Sequence, residues 1–191
     1  KDNTFKSISN KYNIPIIEHK PQIGGRYSIF SEANIVPIIL MGVNIKKFKK
    51  NILKHFDKSN KLLIGKHLTY LSKVYLSKKI NNLIFFNYSP YLDNFMFWAQ
   101  QLVAESLGKN GNGILPVVST APKDHHSLLQ LYLDGPKDKF FYIYSSESIY
   151  KNKVSNIGFD KKNKYIVNKS INDVTLSQKK AFISVLKKKR I

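Results

Sequence analysis

The chain has 191 residues, of which 42% are hydrophobic, 13% aromatic and 23% charged; this is ordinary globular composition and excludes a disordered chain kept in solution by charge. It contains no cysteine, which excludes disulfides, thiolate metal sites and cysteine nucleophiles, so we expect a cytoplasmic protein. No apolar run approaches the roughly 18 residues that a membrane-spanning helix needs, and we expect no membrane partner.

The charge is strongly basic, with 32 basic and 12 acidic residues and a net charge of +20. Such a field attracts phosphates, nucleic acids and acidic surfaces. All the basic residues except Arg26 and Arg190 are lysines, whereas proteins that read nucleic acid commonly use arginine for bidentate contacts. We therefore expect no specific nucleic-acid partner. Arg26 stands out as the one internal arginine in the sequence.

The first 80 residues are expected to be mostly helical. Apolar residues at helical spacing predict a helix over residues 3–12, and the apolar residues 14–18 indicate a short strand. A loop with two glycines follows, and residues 35–42 are apolar. Helices are expected over residues 43–57 and 62–79, with a break at Ser59 and Asn60.

The rest of the chain alternates strands and helices. We predict strands over residues 82–88, 114–119 and 140–145, and helices over residues 92–108, 124–133 and from about 176 onwards. The first strand is a continuous apolar run, which is typical of a strand buried on both faces of a parallel sheet. The order indicates an α/β fold with an open sheet, whose ligands bind at loops beyond the carboxyl ends of the strands.

Three segments carry residues suited to acid-base chemistry. In the first, Gly24 and Gly25 precede Arg26, so backbone amides could approach an anion while the guanidinium stabilises an oxyanion. A generic turn with a surface arginine would give the same pattern. In the second, Glu105 lies in the last turn of a helix, where the helix dipole and partial burial raise the pKa of a carboxylate. A solvated glutamate is the alternative there.

The third segment opens a helix, with Asp124 expected as its N-cap. His126 and Gln130 are four residues apart and are expected to share a helix face, and a histidine here could act as an acid or a base. His125 receives no role. No second cluster of ligands supports a metal site, so none is expected.

Together, these segments resemble the glucose-6-phosphate isomerase family, and they cover about two thirds of the chain. The matching positions are residues 23–28 with Ser31 and residues 37–42; residues 88–113 around Trp98, Gln101, Glu105, Ser106, Gly108 and Lys109; and Asp124, His126, Ser127, Gln130 and Gly135.

The resemblance implies a three-layer α/β/α sugar isomerase (SIS) domain with a parallel sheet, here incomplete. Residues 1–45 would be the C-terminal part of a first SIS domain with the Arg26 loop, and residues 46–191 a second one, truncated at its C-terminus. The family's phosphate-binding segment and its C-terminal helix with an active-site lysine have no counterpart in this sequence. We therefore expect a fragment that is inactive alone.

The resemblance also implies an aldose-ketose isomerase of glycolysis and gluconeogenesis, which interconverts glucose 6-phosphate and fructose 6-phosphate through a cis-enediol without metal or cofactor. Glu105 would be the base, Arg26 would stabilise the enediolate, and His126, contributed by the partner subunit of a homodimer, would assist ring opening. The substrate-binding residues implied are Gly25, Arg26, Gln101, Glu105 and His126. Two alternatives stay open: a non-catalytic SIS module that binds sugar phosphates, and a basic nucleic-acid-binding protein.

Overall fold

The computed structural model describes residues 3–146, 152–156, 158 and 160–191. The chain divides into two compact units, Lys1–Leu68 and Thr69–Ile191. The expected pair of SIS domains, with its boundary after residue 45, is an assignment by family and stays a prediction. Within the described ranges, no helix is both long and apolar enough to cross a membrane.

The unit Lys1–Leu68 is helical. It contains α1 (Thr4–Tyr12), α2 (Glu32–Leu40), α3 (Ile45–Leu53) and the start of α4 (Lys58–Leu76), with 3-10 helices at Gly25–Phe30 and Lys54–Phe56. The apolar residues 35–42 thus lie mostly in α2. Of the residues described in this unit, Ser28 and Ser31 are the buried ones, so the unit has no hydrophobic core of its own.

Two predictions for this unit were wrong. Residues 14–18 form no strand; they are exposed and irregular, because no neighbouring strand offers them hydrogen bonds and Pro15 has no amide hydrogen to donate. The break expected at Ser59 and Asn60 is instead the first turn of α4. The Asp57 carboxylate accepts a hydrogen bond from the Asn60 backbone N–H at 2.7 Å, which starts the helix several residues earlier than predicted.

A parallel sheet organises the unit Thr69–Ile191. Its strands are β1 (Asn82–Asn87), β2 (Leu115–Thr120) and β3 (Lys139–Tyr144), in the order β2-β1-β3 with β1 in the centre. Every residue of β1 after Asn82 is buried. The three predicted strands are confirmed, and each of their ends lies within one residue of the prediction. Their apolar runs have the length and polar ends of buried strands.

Helices cover both faces of this sheet. On one face Leu83 and Phe85 of β1 pack with Met96 of α5 (Asp93–Leu107). On the other face Ile84 and Phe86 pack with residues of α7 (Leu129–Asp134) and α8 (Ile171–Lys189). From α6 (Lys123–Ser127), the His125 ring stacks on Phe86. The described strands and helices therefore form the expected α/β/α arrangement with a parallel sheet.

Helix ends in this unit differ from the predictions for local reasons. The single helix expected over residues 124–133 is divided at Leu128 into α6 and α7. The last helix begins at Ile171 rather than near residue 176, because Ser170 and Asp173 form a reciprocal capping box. The Asp173 backbone N–H donates to Ser170 Oγ at 3.0 Å, and the Ser170 backbone N–H donates to Asp173 Oδ2 at 2.9 Å.

The core around Phe86 gives a prediction for stability. Phe86 has no exposed surface, and its ring centroid lies 4.6 Å from that of Phe182. Replacing Phe86 by Ala should lower the free energy of unfolding by about 3–5 kcal/mol, since the cavity left behind cannot fully collapse. Urea denaturation checks this, with Phe97→Ala as the control because Phe97 is 55% exposed. Equal losses in the two variants would contradict the packing described.

Candidate active site

Arg26 lies in the first of the two units, within the 3-10 helix Gly25–Phe30. Ser28 Oγ donates to the Gly25 carbonyl at 2.8 Å, and Ser31 Oγ donates to the Ser28 carbonyl at 2.7 Å. The guanidinium carbon of Arg26 lies 5.6 Å from the centroid of the Tyr27 ring, a cation–π arrangement. The segment is therefore a hydrogen-bonded turn that presents a half-buried arginine.

The two glycines before Arg26 do not need special backbone freedom here. Gly24 has φ −65° and ψ 153°, which any residue adopts. A Cβ built on Gly24 or Gly25 would meet no described atom within 4 Å. The backbone angles and the surrounding described atoms therefore do not require glycine here. The expected approach of backbone amides to an anion and the substrate-binding role of Gly25 stay predictions.

Glu105 lies in the last turn of α5, as predicted, but its side chain is exposed, so the partial burial expected from the sequence is wrong. Gln101, one turn earlier, donates from Nε2 to Glu105 Oε1 at 2.8 Å, which orients the carboxylate. The helix then ends at Gly108, whose backbone N–H donates to the Ala104 carbonyl at 2.9 Å. A Cβ on Gly108 would lie 2.6 Å from the Ala104 oxygen, so only glycine fits this turn.

His125 and His126 point in different directions from α6. The His125 ring stacks on Phe86 with centroids 5.5 Å apart and an interplanar angle of 10°, and its Nε2 is hydrogen-bonded to the Tyr88 hydroxyl at 2.7 Å. His126, the neighbouring residue, is exposed. The structure thus gives His125 a packing role and leaves His126 at the surface of α6.

Asp124 is not the N-cap of this helix, as the sequence had led us to expect. It lies inside α6 and is only 6% exposed. Its Oδ2 accepts hydrogen bonds from Ser119 Oγ and the Thr120 backbone N–H, and its Oδ1 accepts one from Ser127 Oγ, all at 2.8 Å. Burial by itself raises the pKa of Asp124, but the bonds from Ser119, Ser127 and Thr120 outweigh it, and the pKa lies below its usual range.

Glu105 lies near the amino ends of the strands, and His126 lies near their carboxyl ends. Gln100, just before the last turn of α5, donates to the Pro116 carbonyl at 2.9 Å, near the amino end of β2. His126 follows the carboxyl end of the same strand. Because a strand of this length spans about 20 Å, the fold of this unit does not bring the two side chains together.

Buried polar residues follow the carboxyl ends of the strands, and the sequence analysis did not single them out. Asn87 has no exposed surface; its Nδ2 donates to Asp93 Oδ1 and to the Ser89 carbonyl, both at 2.8 Å. Ser89 Oγ lies 2.8 Å from Ser146 Oγ, which joins the ends of β1 and β3. Their position directly after apolar strands was the available signal.

A cleft of about 300 Å³ lies over these strand ends. It is lined by Tyr88, Ser89, Pro90, Tyr91, Ala121, Pro122, Ser146, Ile171, Asn172 and Thr175. Over the parts of the chain that the structure describes, no group of three or more His, Asp or Glu side chains is arranged to hold a metal ion.

The amino-acid sequence of the chain is similar to those of glucose-6-phosphate isomerases. The chain is 35% identical over 143 residues to the enzyme of Methanocaldococcus jannaschii, covering 71% of this chain and 35% of the relative. It is 37% identical over 140 residues to the probable enzyme of Methanococcus maripaludis, covering 71% and 32%. With the enzyme of Mycoplasmopsis synoviae the identity is 30% over 169 residues, covering 80% and 37%.

These matches establish the resemblance on which the sequence analysis relied. The chain spans about a third of the length of these curated relatives, so it is similar to part of a glucose-6-phosphate isomerase. No protein-family model matches it. A crystal structure of a hypothetical protein from Thermus thermophilus superposes with a TM-score of 0.79 at 20% identity, covering 99% of this chain and 47% of that one, which is evidence for the fold alone.

The half-buried His125 predicts a pH dependence of stability. Burial lowers the pKa of His125 below its usual value of 6.5, and the Asp124 charge offsets this only in part. The folded chain then binds fewer protons than the unfolded chain, so this contribution to stability is present above about pH 6.5 and is lost as the pH falls. Urea unfolding between about pH 7.5 and 5.5 should show a smaller loss of stability in His125→Gln, whose amide can still bond Tyr88. Identical losses in both proteins would contradict it.

Proposed function

We propose that the protein containing this chain is an aldose-ketose isomerase that interconverts D-glucose 6-phosphate and D-fructose 6-phosphate. The observation that carries the proposal is the similarity over some 70% of the chain to proteins that bear this activity in their names. The α/β/α fold and the position of chemically suited residues at element ends support it.

The chemistry is a series of proton transfers and needs no external oxidant. In ring opening the C1–O5 bond breaks, O5 takes up a proton, and the O1 hydroxyl gives up its proton to become the aldehyde oxygen. A base then removes the C2 proton to form a cis-enediolate charged at O1. The O2 hydroxyl proton passes to O1, and the base returns its proton to C1 as the C2 carbonyl forms, which completes the ketose. C1 is reduced as C2 is oxidised, so the electrons balance within the sugar.

Glu105 is the proposed base. A C2 proton beside a carbonyl is weakly acidic, and a base held in line is worth about 10²–10⁴ in rate. The hydrogen bond from Gln101 Nε2 orients the Glu105 carboxylate, and the rigid Gly108 turn fixes the end of its helix. The exposed position of Glu105 in this chain is what a substrate-facing group requires.

Arg26 is the proposed stabiliser of the enediolate oxygen. A guanidinium keeps its charge at every working pH and offers several donors in one plane. Packing against the Tyr27 ring, together with the hydrogen-bonded 3-10 turn, limits the orientations open to this side chain. A preorganised cation of this kind stabilises the charge that develops at O1 in the transition state.

His126 is proposed to assist ring opening from the partner subunit of a homodimer. Since Glu105 and His126 lie at opposite ends of the strands of one sheet, a site that contains both needs two copies of the chain. The exposed position of His126 leaves its imidazole accessible to a second molecule. Its imidazole can give a proton to O5 as the C1–O5 bond breaks.

The base assignment predicts the effect of Glu105→Gln. In the full protein this variant should lose about 10²–10⁴-fold in isomerisation while it still binds substrate, because the amide cannot accept the C2 proton. Coupled assays of fructose 6-phosphate formation and calorimetric binding measure the two properties. Glu18→Gln, at an exposed position in the other unit, is the control. A fully active Glu105→Gln enzyme would refute the base, and a wild-type protein that binds without turnover would favour the non-catalytic module.

Mixing two inactive variants tests whether the site is shared. If each site combines Glu105 of one subunit with His126 of the partner, a Glu105→Gln/His126→Ala heterodimer contains one intact site and one doubly altered site. Random reassortment of equal amounts should then restore about one quarter of wild-type activity. Sites built within one subunit would each keep one defect, so an absence of recovery in proven heterodimers would contradict the shared site.

A further inference from the structure

We propose that Asp124 is a positioning residue that holds α6 so that His126 projects into the active site; this rests on the proposed function. Asp124 has no part in the proton transfers themselves. Its role would be to fix the short helix that carries His126 to the end of β2. Three independent features of the structure lead to this assignment.

The first feature is the geometry of the Asp124 carboxylate. Oδ2 binds two donors at the end of β2, the Ser119 hydroxyl and the Thr120 backbone N–H. Oδ1 binds the Ser127 hydroxyl, in the last residue of α6. One side chain thus ties the strand end to both ends of the helix, and His126 lies between the two attachment points.

The second feature is burial. A carboxylate on a residue that is only 6% exposed is costly unless it is hydrogen-bonded, and here both oxygens are used. Ser119, one of its donors, has no exposed surface. Removing the carboxylate would leave buried donors without their acceptor, so the connection between β2 and α6 would have to rearrange.

The third feature is the direction of the two histidines. His125 is anchored inward by its stacking on Phe86 and its hydrogen bond to Tyr88. Because successive residues on a helix point about 100° apart, an inward His125 directs His126 away from the core. Asp124 fixes where α6 lies and His125 fixes its rotation, and together they define the position of the His126 ring.

The expected consequence is slower ring opening, and isomerisation slows with it because it starts from the open-chain sugar. A catalytic group displaced by about 1 Å can cost 10²-fold in rate. We expect Asp124→Ala to slow ring opening about 10- to 100-fold, and Asp124→Asn to lose less, because its amide oxygen can still accept from the Thr120 N–H. Ring opening and closing exchange the α and β anomers of glucose 6-phosphate, so exchange NMR measures this step separately from isomerisation.

The experiment compares both rates in the full dimeric protein for four variants. Asp124→Ala and His126→Ala should each slow anomer exchange and isomerisation together, whereas Glu105→Gln should stop isomerisation and leave anomer exchange. Asp173→Ala is the matched control, since Asp173 also accepts from a serine hydroxyl and a backbone N–H at the start of a helix. It should alter stability but neither rate.

A double variant separates positioning from a general loss of structure. With His126 already removed, Asp124→Ala should cause no further loss of anomer exchange, because effects of residues that act as a unit are not additive. An added loss of the same size as in the wild-type background would overturn the proposal. If Asp124→Ala does not fold, anomer exchange in Asp124→Asn, measured with His126 present and with His126→Ala, decides in the same way.

The outcomes distinguish this proposal from the proposed function. Unchanged anomer exchange in Asp124→Ala, alongside a loss in His126→Ala, would refute the positioning role alone. Unchanged anomer exchange in His126→Ala would refute the proposed role of His126, and the positioning role with it. Full isomerisation by Glu105→Gln would refute the base and leave the assignment of Asp124 standing on its own result.

Discussion

Burial of β1 on both faces is the constraint that arranges the second unit of the chain. Leu83 and Phe85 face one layer of helices, and Ile84 and Phe86 face the other, so a strand of six residues supplies both cores. A strand packed on both faces by apolar side chains leaves no room for polar side chains before its last residue. Asn87 is the first such group, and it is fully buried but saturated with hydrogen bonds. Polar functional side chains are therefore found at the ends of the strands, where loops and helix ends reach solvent.

Parallel pairing then decides whether each functional side chain lies near the amino ends or the carboxyl ends of the strands. Each strand is followed by a helix that returns antiparallel to it. The helix therefore starts near the carboxyl ends of the strands and ends near their amino ends. His126 belongs to the start of a connection, and Glu105 to the end of one. Their separation follows from topology and would persist whatever their side chains were. Under the proposed function, a second copy of the chain overcomes this separation, so assembly would be part of catalysis and not only of stability.

The other unit has a different physical problem. Its large apolar side chains include Phe5, Leu40 and Met41, which are 80%, 82% and 78% exposed, and none of its described hydrophobic residues is buried. Apolar surface on this scale requires cover by other protein. The assignment of residues 1–45 to part of a first SIS domain would account for this exposure, and it stays a prediction. Its hydrogen-bonded turn around Ser28 and Ser31 is held by local polar contacts instead.

Local patterns were enough to determine the class of the fold and the residues of interest. The apolar run of β1, the spacing of α5 and the glycine that ends it are decided by short-range sterics and side-chain burial, and all are readable from sequence. Residues 14–18 show the limit, because an apolar run becomes a strand only if a partner elsewhere supplies its hydrogen bonds. Asp124 shows it again: the same residue type caps a helix or joins it to a strand, depending on which donors surround it. Only the tertiary structure decided that Glu105 and His126 lie at opposite ends of the strands. The direction in which each helix runs depends on how the strands pair and not on which residues they contain.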